Sequence, residues 1–372
     1  METTIDLSRP MRLTVTAPTT ITDVVLGRNL LAGLCGHLEK YRTAHMLIIA
    51  DENVATLYGN SLCDKLRRDN YETDILTIPS GENSKTLDTL IQLYAACESM
   101  RICRRDVVIA LGGGMIGDVA GMLAATYLRG LEYLQIPTSL VSMVTACIGG
   151  KTGVNFMSHK NLIGAFKQPS LVVIDLETIQ TLPPIEFLSG LGELVTIGVL
   201  GAPEIFQSLE TGKLNPLDSR LDQLVISAIR LKSRIVEADP FDRLGIRIKL
   251  NLGHTFGHAL ESLSNFTLPH GIAVAVGLYI ASRLAMALRL CSSSMVERIR
   301  RTLIALKLPV SLKGYRSKDV IEVMQNDKKR NGGLLRWVLP VAIGEVITVD
   351  QDQVPSGLVE GLLDELVWEG ES

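Results

Sequence analysis

Net charge is what this sequence has least of: across 372 residues, 37 Lys and Arg nearly offset 40 Asp and Glu, leaving a formal charge of -3. So weak a field favours neither nucleic acid nor an anionic membrane surface, and an anionic ligand must meet a local basic cluster. Cysteine is sparse and unpatterned. Cys35, Cys63, Cys97, Cys103, Cys147 and Cys291 include no CxxC pair, which argues against a zinc–thiolate site and for reduced thiols in a cytoplasmic protein. Residues 1–18 lack the basic start and apolar run of a secretory leader. Mean hydropathy is +0.25, yet apolar runs such as 107–111 are short and punctuated by glycine, so none reads as a membrane span. Internal repeats, low-complexity tracts and long charge runs are also missing.

What remains is a chain with 47% hydrophobic residues, longer than one core sustains, so two domains are expected. In the first half, strand-like runs at 44–50, 72–78, 106–111, 133–136 and 171–174 alternate with amphipathic segments. That rhythm predicts βαβ units and a largely parallel, Rossmann-like sheet. Past Leu182-Pro183-Pro184 the periodicity becomes helical through 185–209, 220–237 and 254–264. The prolines end one element and suit the first turn of the next, which places the boundary between 1–182 and 183–372.

The strand at 106–110 runs into Gly112-Gly113-Gly114-Met115-Ile116-Gly117-Asp118 and then a small-residue helix. Strand, glycine turn and helix start together make a phosphate cradle, because the first amides of a helix are unpaired and carry partial positive charge. Asp51 and Asn53 follow the strand ending at Ala50, where an acid can bind a ribose, although the triplet 51–53 also suits a helix cap. Ser80, Gly81, Glu82, Asn83, Ser84 and Lys85 follow another strand and become nucleotide candidates only alongside the glycine turn.

Three of the six histidines fall close together. His254 and His258 are four apart, on one helical face, and His270 follows after a loop. Glu193 is an acid within an apolar helical run, where an unpaired carboxylate is costly. Spacing by itself leaves a shared divalent cation and satisfied core histidines both open. Gly149-Gly150-Lys151-Thr152 is not a Walker loop, since Thr145 stands where the first glycine belongs. Lys151, Lys160, Arg129, Lys232 and Arg247, with Lys328 or Lys329, are candidates to neutralise a phosphate and a carboxylate.

The ordered motifs GGGMIGDVAG, ATYLRG, IPTSL, GGKTGVN, KNLIGAF, LNLGHTFGHALE and DKK resemble the sugar phosphate cyclase superfamily, and within it the 3-dehydroquinate synthase family, over nearly the whole chain. The resemblance implies an N-terminal NAD-binding α/β domain, a C-terminal helical metal-binding domain, and substrate in the cleft between them. It implies a Zn2+ or Co2+ held by Glu193, His254 and His270. NAD would lie against Asp51, Asn53, 80–85, Gly114, Met115, Ile116, Gly117, Asp118, Thr138, Ser139, Lys151, Lys160 and the turn Thr178, Ile179, Gln180, Thr181. Substrate, a small phosphorylated sugar acid, would meet Arg129, Lys151, Lys160, Asn161, Lys232, Arg247, Asn251, His258 and Lys328, with His258 handling a proton. The implied reaction eliminates phosphate and closes a carbocycle, using NAD catalytically, in a cytoplasmic homodimer of the shikimate pathway.

Departures from the family pattern lie near that chemistry. Thr145 replaces an Asp, Thr196 a substrate-contacting Lys, and Ile272 a Glu, while Asp242 falls near a family Glu. Losing a charged hydrogen bond at Thr196 costs roughly 1.5–3 kcal/mol. A related cyclase acting on another sugar phosphate, and a weakly active NAD- and metal-binding paralogue, are therefore the alternatives. Iron-containing alcohol dehydrogenases share the architecture and a triple-glycine turn, but GGKTGVN and KNLIGAF count against them.

Overall fold

The computed structural model describes residues 10–18, 20–157, 159–330 and 335–371, without the side chains of 326–330 and 368–371. The chain forms two compact units. One runs to Leu182 and also takes in Lys232–Phe241; the other comprises Pro183–Leu231 and the chain from Asp242 onward.

Among the described residues the first unit holds nine strands: β1 (Met11–Ala17), β2 (Thr20–Gly27), β3 (Met46–Asp51), β4 (Thr73–Ile78), β5 (Val107–Gly112), β6 (Glu132–Pro137), β7 (Lys151–Phe156), β8 (His159–Phe166) and β9 (Leu171–Asp175). Seven make one sheet in the order β1-β2-β9-β6-β5-β3-β4. Only β1 and β2 pair antiparallel; the other neighbours are parallel. The sequence of β3, β5 and β9 explains this: MLIIAD, VVIALG and LVVID are apolar almost throughout and buried on both faces, as parallel strands covered by helices must be. Alternate residues divide between two cores. Met46, Ile48, Ile109 and Leu111 point to one, Leu47, Ile49, Val108 and Ala110 to the other.

All five strand-like runs of the sequence are strands of this sheet. The remaining β structure is less legible: β1 alternates exposed and buried positions at the sheet edge, and GGKTGVN and KNLIGAF pair as the antiparallel hairpin β7–β8.

Among the described residues the second unit is helical apart from the hairpin β10 (Arg336–Ala342) and β11 (Glu345–Asp350). Contrary to the sequence expectation, the helices Pro184–Gly201 and His270–Ala287 are each long and apolar enough to cross a bilayer. Their small and polar residues break the apolar runs in linear sequence. They are core helices, with 72% and 78% of these spans buried within the protein. Their approach is set by glycine: a Cβ on Gly271 would lie 1.8 Å from the Ser189 carbonyl oxygen, and one on Gly277 1.9 Å from that of Gly253. Gly253 itself has φ 75°, a left-handed turn that starts the helix His254–Leu263 against His270–Ala287.

Candidate functional site

That glycine-mediated contact puts three side chains together in the second unit. Glu193 is 1% exposed; its Oε1 lies 3.0 Å from His270 Nε2 and 3.8 Å from His254 Nε2. One ligand atom from each of the three lies within 4.8 Å of the others. The opposite ring nitrogens are also engaged. His254 Nδ1 sits 2.9 Å from the Leu252 carbonyl oxygen, and His270 Nδ1 3.0 Å from Glu261 Oε2.

Burial by itself disfavours charge on both rings. It holds His254 below the ordinary imidazole range, with Glu193 opposing. At His270 burial is outweighed by hydrogen bonds to Glu193 and Glu261, which push its pKa up to about 10. The pocket therefore stabilises positive charge between two buried carboxylates, and two imidazoles with one carboxylate are a ligand set suited to Zn2+ or Co2+. His258 is exposed, its ring 5.4 Å from that of His254 and 5.9 Å from that of His270.

Arg247 is buried in the short helix Arg247–Asn251, which ends at the exposed Asn251. Thr196, one turn beyond Glu193, is 3% exposed and donates its hydroxyl to the Gly192 carbonyl at 3.0 Å. Ile272 is buried two residues after His270. The side chains of Lys328 and Lys329 lie outside the described residues.

In the first unit, β5 delivers the chain to Gly113, and the helix Gly114–Thr126 begins at once. The first intrahelical bond runs from the Gly117 amide to Gly113 O at 3.1 Å. The half-exposed Gly114 and Met115 therefore present amides beyond the helix ladder, a helix start able to receive an anion. A Cβ on Gly113 would meet Ser139 Oγ at 3.4 Å and one on Gly114 would meet Ala146 at 3.5 Å, both ordinary contacts, whereas one on Gly117 would lie 2.3 Å from Gln135 Nε2, so close packing requires glycine at Gly117. Thr138 closes the turn by donating its amide to Gly112 O at 3.0 Å.

Four motif segments converge beside this helix. Lys85 is 3% exposed and donates to Asp118 and to Asn161 Oδ1. Burial raises the Asp118 carboxyl pKa, with Lys85 opposing. Asn155 Nδ2 donates to Glu82 Oε1 at 3.0 Å, Asn155 Oδ1 accepts from the Asn161 amide at 2.9 Å, and Lys160 lies 3.8 Å from Glu82. Lys151 is exposed at the start of β7. Lys232 donates to the carbonyl of Thr145, inside the π turn Ser142–Ala146.

Other candidates stand apart. Asp51 Oδ1 caps the helix beyond β3, accepting from the amides of Asn53 and Val54 at 3.0 and 3.1 Å. Ser80 and Gly81 lead, with φ 96° at Gly81, into the turn Glu82–Ser84 that holds Asn83. Thr178 and Ile179 are buried in the turn Leu176–Thr181, Gln180 pairs with Glu177, and Thr181 bonds Tyr58 at 2.5 Å. Arg129 (φ 68°) is exposed after the helix Gly114–Thr126, and Asp242 (φ 54°) is exposed in a turn.

Two residues of these clusters are missing from the sequence reading. Asn155 was visible only as the end of GGKTGVN. Glu261 carries the same signal as Glu193, an acid in an apolar helical run, and lies three residues after His258.

Family models described as 3-dehydroquinate synthase N-terminal and 3-dehydroquinate synthase C-terminal match residues 75–189 and 190–330. A 3-dehydroquinate synthase from Symbiobacterium thermophilum is 40% identical over 346 residues, covering 91% of this chain and 96% of that relative. Among solved structures, ValA, a 2-epi-5-epi-valiolone synthase from Streptomyces hygroscopicus subsp. jinggangensis with NAD+ and Zn2+ bound, superimposes with a TM-score of 0.87. It is 27% identical, with 96% of this chain and 99% of that one covered. A 2-deoxy-scyllo-inosose synthase complexed with carbaglucose-6-phosphate, NAD+ and Co2+ gives a TM-score of 0.87 over 96% and 100% of the two chains; at 21% identity it shows the fold. With both halves matched in order and a curated relative aligned almost end to end, this chain belongs to the 3-dehydroquinate synthase family.

Proposed function

We propose that the chain converts 3-deoxy-D-arabino-heptulosonate 7-phosphate to 3-dehydroquinate and inorganic phosphate, using NAD catalytically and a Zn2+ or Co2+ held by Glu193, His254 and His270. The observation that carries this reading is the convergence of that buried carboxylate with two imidazole nitrogens. When bound, NAD would accept a hydride from the carbon bearing a ring hydroxyl and return it later, and the metal would stabilise negative charge on that carbon's oxygen.

The chain's own residues supply the rest. The amides at Gly114 and Met115 receive the dinucleotide pyrophosphate. Lys85 holds Asp118 and Asn161 in one arrangement, so the nucleotide turn and the β8 segment are fixed together. Lys151, Lys160, Lys232, Arg129, Arg247, Asn251 and Lys328 bind the substrate's phosphate, hydroxyls and carboxylate, and exposed His258 handles a proton near the leaving group. NAD contacts are assigned to 1–182, with Asp51, Asn53, 80–85, Asp118, Thr138, Ser139 and 178–181, and metal contacts to 183–372. The family reading extends to a cytoplasmic homodimer, which light scattering tests.

A second reading, a cyclase acting on a different sugar phosphate, is favoured by Thr196: its hydroxyl is committed to the Gly192 carbonyl, and it brings no cation. The deciding experiment incubates metal-reconstituted protein with trace NAD+ and 3-deoxy-D-arabino-heptulosonate 7-phosphate. Phosphate release exceeding the cofactor many times, without net NADH and lost in Glu193→Ala, is expected. No release from protein that binds metal and NAD+ would overturn the assignment and leave other sugar phosphates as substrates.

A further inference from the structure

We propose that Glu261 is the positioning residue that selects the tautomer and fixes the ring of His270 as a metal ligand, an inference that rests on the metal-dependent reading above. Glu261 is 2% exposed and lies on the helix His254–Leu263, seven residues after His254 and three after His258, hence on their face. Its Oε2 is 3.0 Å from His270 Nδ1, while His270 Nε2 points at Glu193.

A neutral imidazole carries one N–H and one lone pair. With Glu261 accepting at Nδ1, the hydrogen sits there and the lone pair is left on Nε2, on the side of Glu193 and His254. Without Glu261, Glu193 at 3.0 Å from Nε2 would draw the hydrogen to that nitrogen, and the Nδ1 side of the ring would lose its anchor.

His254 offers an internal contrast. Its Nδ1 is held by the Leu252 carbonyl, a neutral acceptor fixed by backbone. The two imidazoles are therefore oriented by unlike partners. A carboxylate also makes the opposite nitrogen a stronger donor than a carbonyl does, so His270 is the more dependent on its partner and the more basic ligand. One ligand atom each from Glu261, His258 and His270 also lies within 4.8 Å of the others, so direct ligation by Glu261 is the rival arrangement.

The test measures Zn2+ and Co2+ binding to full-length metal-free protein by competition with a chromophoric chelator, for the wild type, Glu261→Gln and Glu261→Ala. The glutamine keeps the volume and an acceptor oxygen but loses the charge; the alanine loses both. Dissociation constants are expected to rise about tenfold in the glutamine variant and about a hundredfold in the alanine variant. The visible Co2+ bands of Glu261→Gln should keep the wild-type intensity, and NAD+ affinity should be unchanged in both variants.

Wild-type metal affinity in both variants would overturn the positioning role while leaving the metal reading intact. A changed Co2+ band intensity in Glu261→Gln, the mark of a lost ligand, would replace it with direct ligation. Failure of the wild type to bind either metal would overturn both readings.

Discussion

Substituting Gly271 by alanine tests whether glycine contacts set the metal geometry. The added Cβ would sit 1.8 Å from the Ser189 carbonyl oxygen and 2.7 Å from its carbonyl carbon. Both are backbone atoms of a neighbouring helix, so no side-chain rotation relieves the overlap. To regain ordinary contact, the helices Pro184–Gly201 and His270–Ala287 must part by more than an ångström, and the 2.9 Å bond from the Gly271 amide to Ser189 Oγ breaks. Overpacking of this kind costs about 1–3 kcal/mol, and the lost hydrogen bond adds roughly 1 kcal/mol. Because Glu193 and His270 ride on these two helices, their 3.0 Å approach should open as well. Thermal unfolding of the metal-free variant is expected several degrees below wild type, with Zn2+ affinity at least tenfold weaker. Gly361→Ala serves as control, since its Cβ meets nothing within 4 Å inside a helix, and it should stabilise by up to about 1 kcal/mol. A Gly271→Ala protein with wild-type melting temperature and Zn2+ affinity would refute this account.

Other predictions address the remaining clusters. In metal-free protein His270 titrates at about 10, above the imidazole value of 6.5. Its contribution to stability is therefore complete below about pH 6.5 and lost as pH rises toward 10; melting temperatures should fall across that window, less steeply in Glu261→Gln, and a flat profile would contradict the ion pairing. Lys85→Met removes a buried cation from half-buried Asp118, and should cost about 1–3 kcal/mol in denaturant unfolding together with NAD+ affinity; no measurable loss of either would show that the pair is dispensable. Thr196→Val removes a hydroxyl bonded within its own helix, so stability should change by less than about 1 kcal/mol and kcat/KM by less than twofold. A tenfold fall in kcat/KM would mean that this hydroxyl reaches substrate.

The sequence discloses most where burial is two-sided. β3, β5 and β9 are continuous apolar runs because both faces are covered, and such runs can be read without a partner. β1 is the edge strand and alternates exposed and buried positions, and neither it nor β2 is among the strand-like runs read from the sequence. GGKTGVN and KNLIGAF are legible as motifs but not as a hairpin, because each is rich in glycine and polar residues and gains strand character from its partner strand and, at Asn155, from a bridge to Thr86. Glu193, His254 and His270 were picked out by residue type and spacing, but spacing cannot show which nitrogen faces which oxygen. That is why Glu261, identical in type to Glu193 and near in sequence to His258, escaped notice: its partner is nine residues away, beyond a turn.

The short return of Lys232–Phe241 into the first unit has a practical side. Glu237 accepts the Thr16 amide at 2.9 Å, Phe241 packs edge-on to Phe166 at 5.8 Å, and Lys232 holds the Thr145 carbonyl. A gene cut at codon 182 would encode a nucleotide module lacking the patch that covers three of its segments, and the complementary piece would carry that patch with nothing to cover. A single cut at that junction therefore parts the first unit from a piece of its own packing.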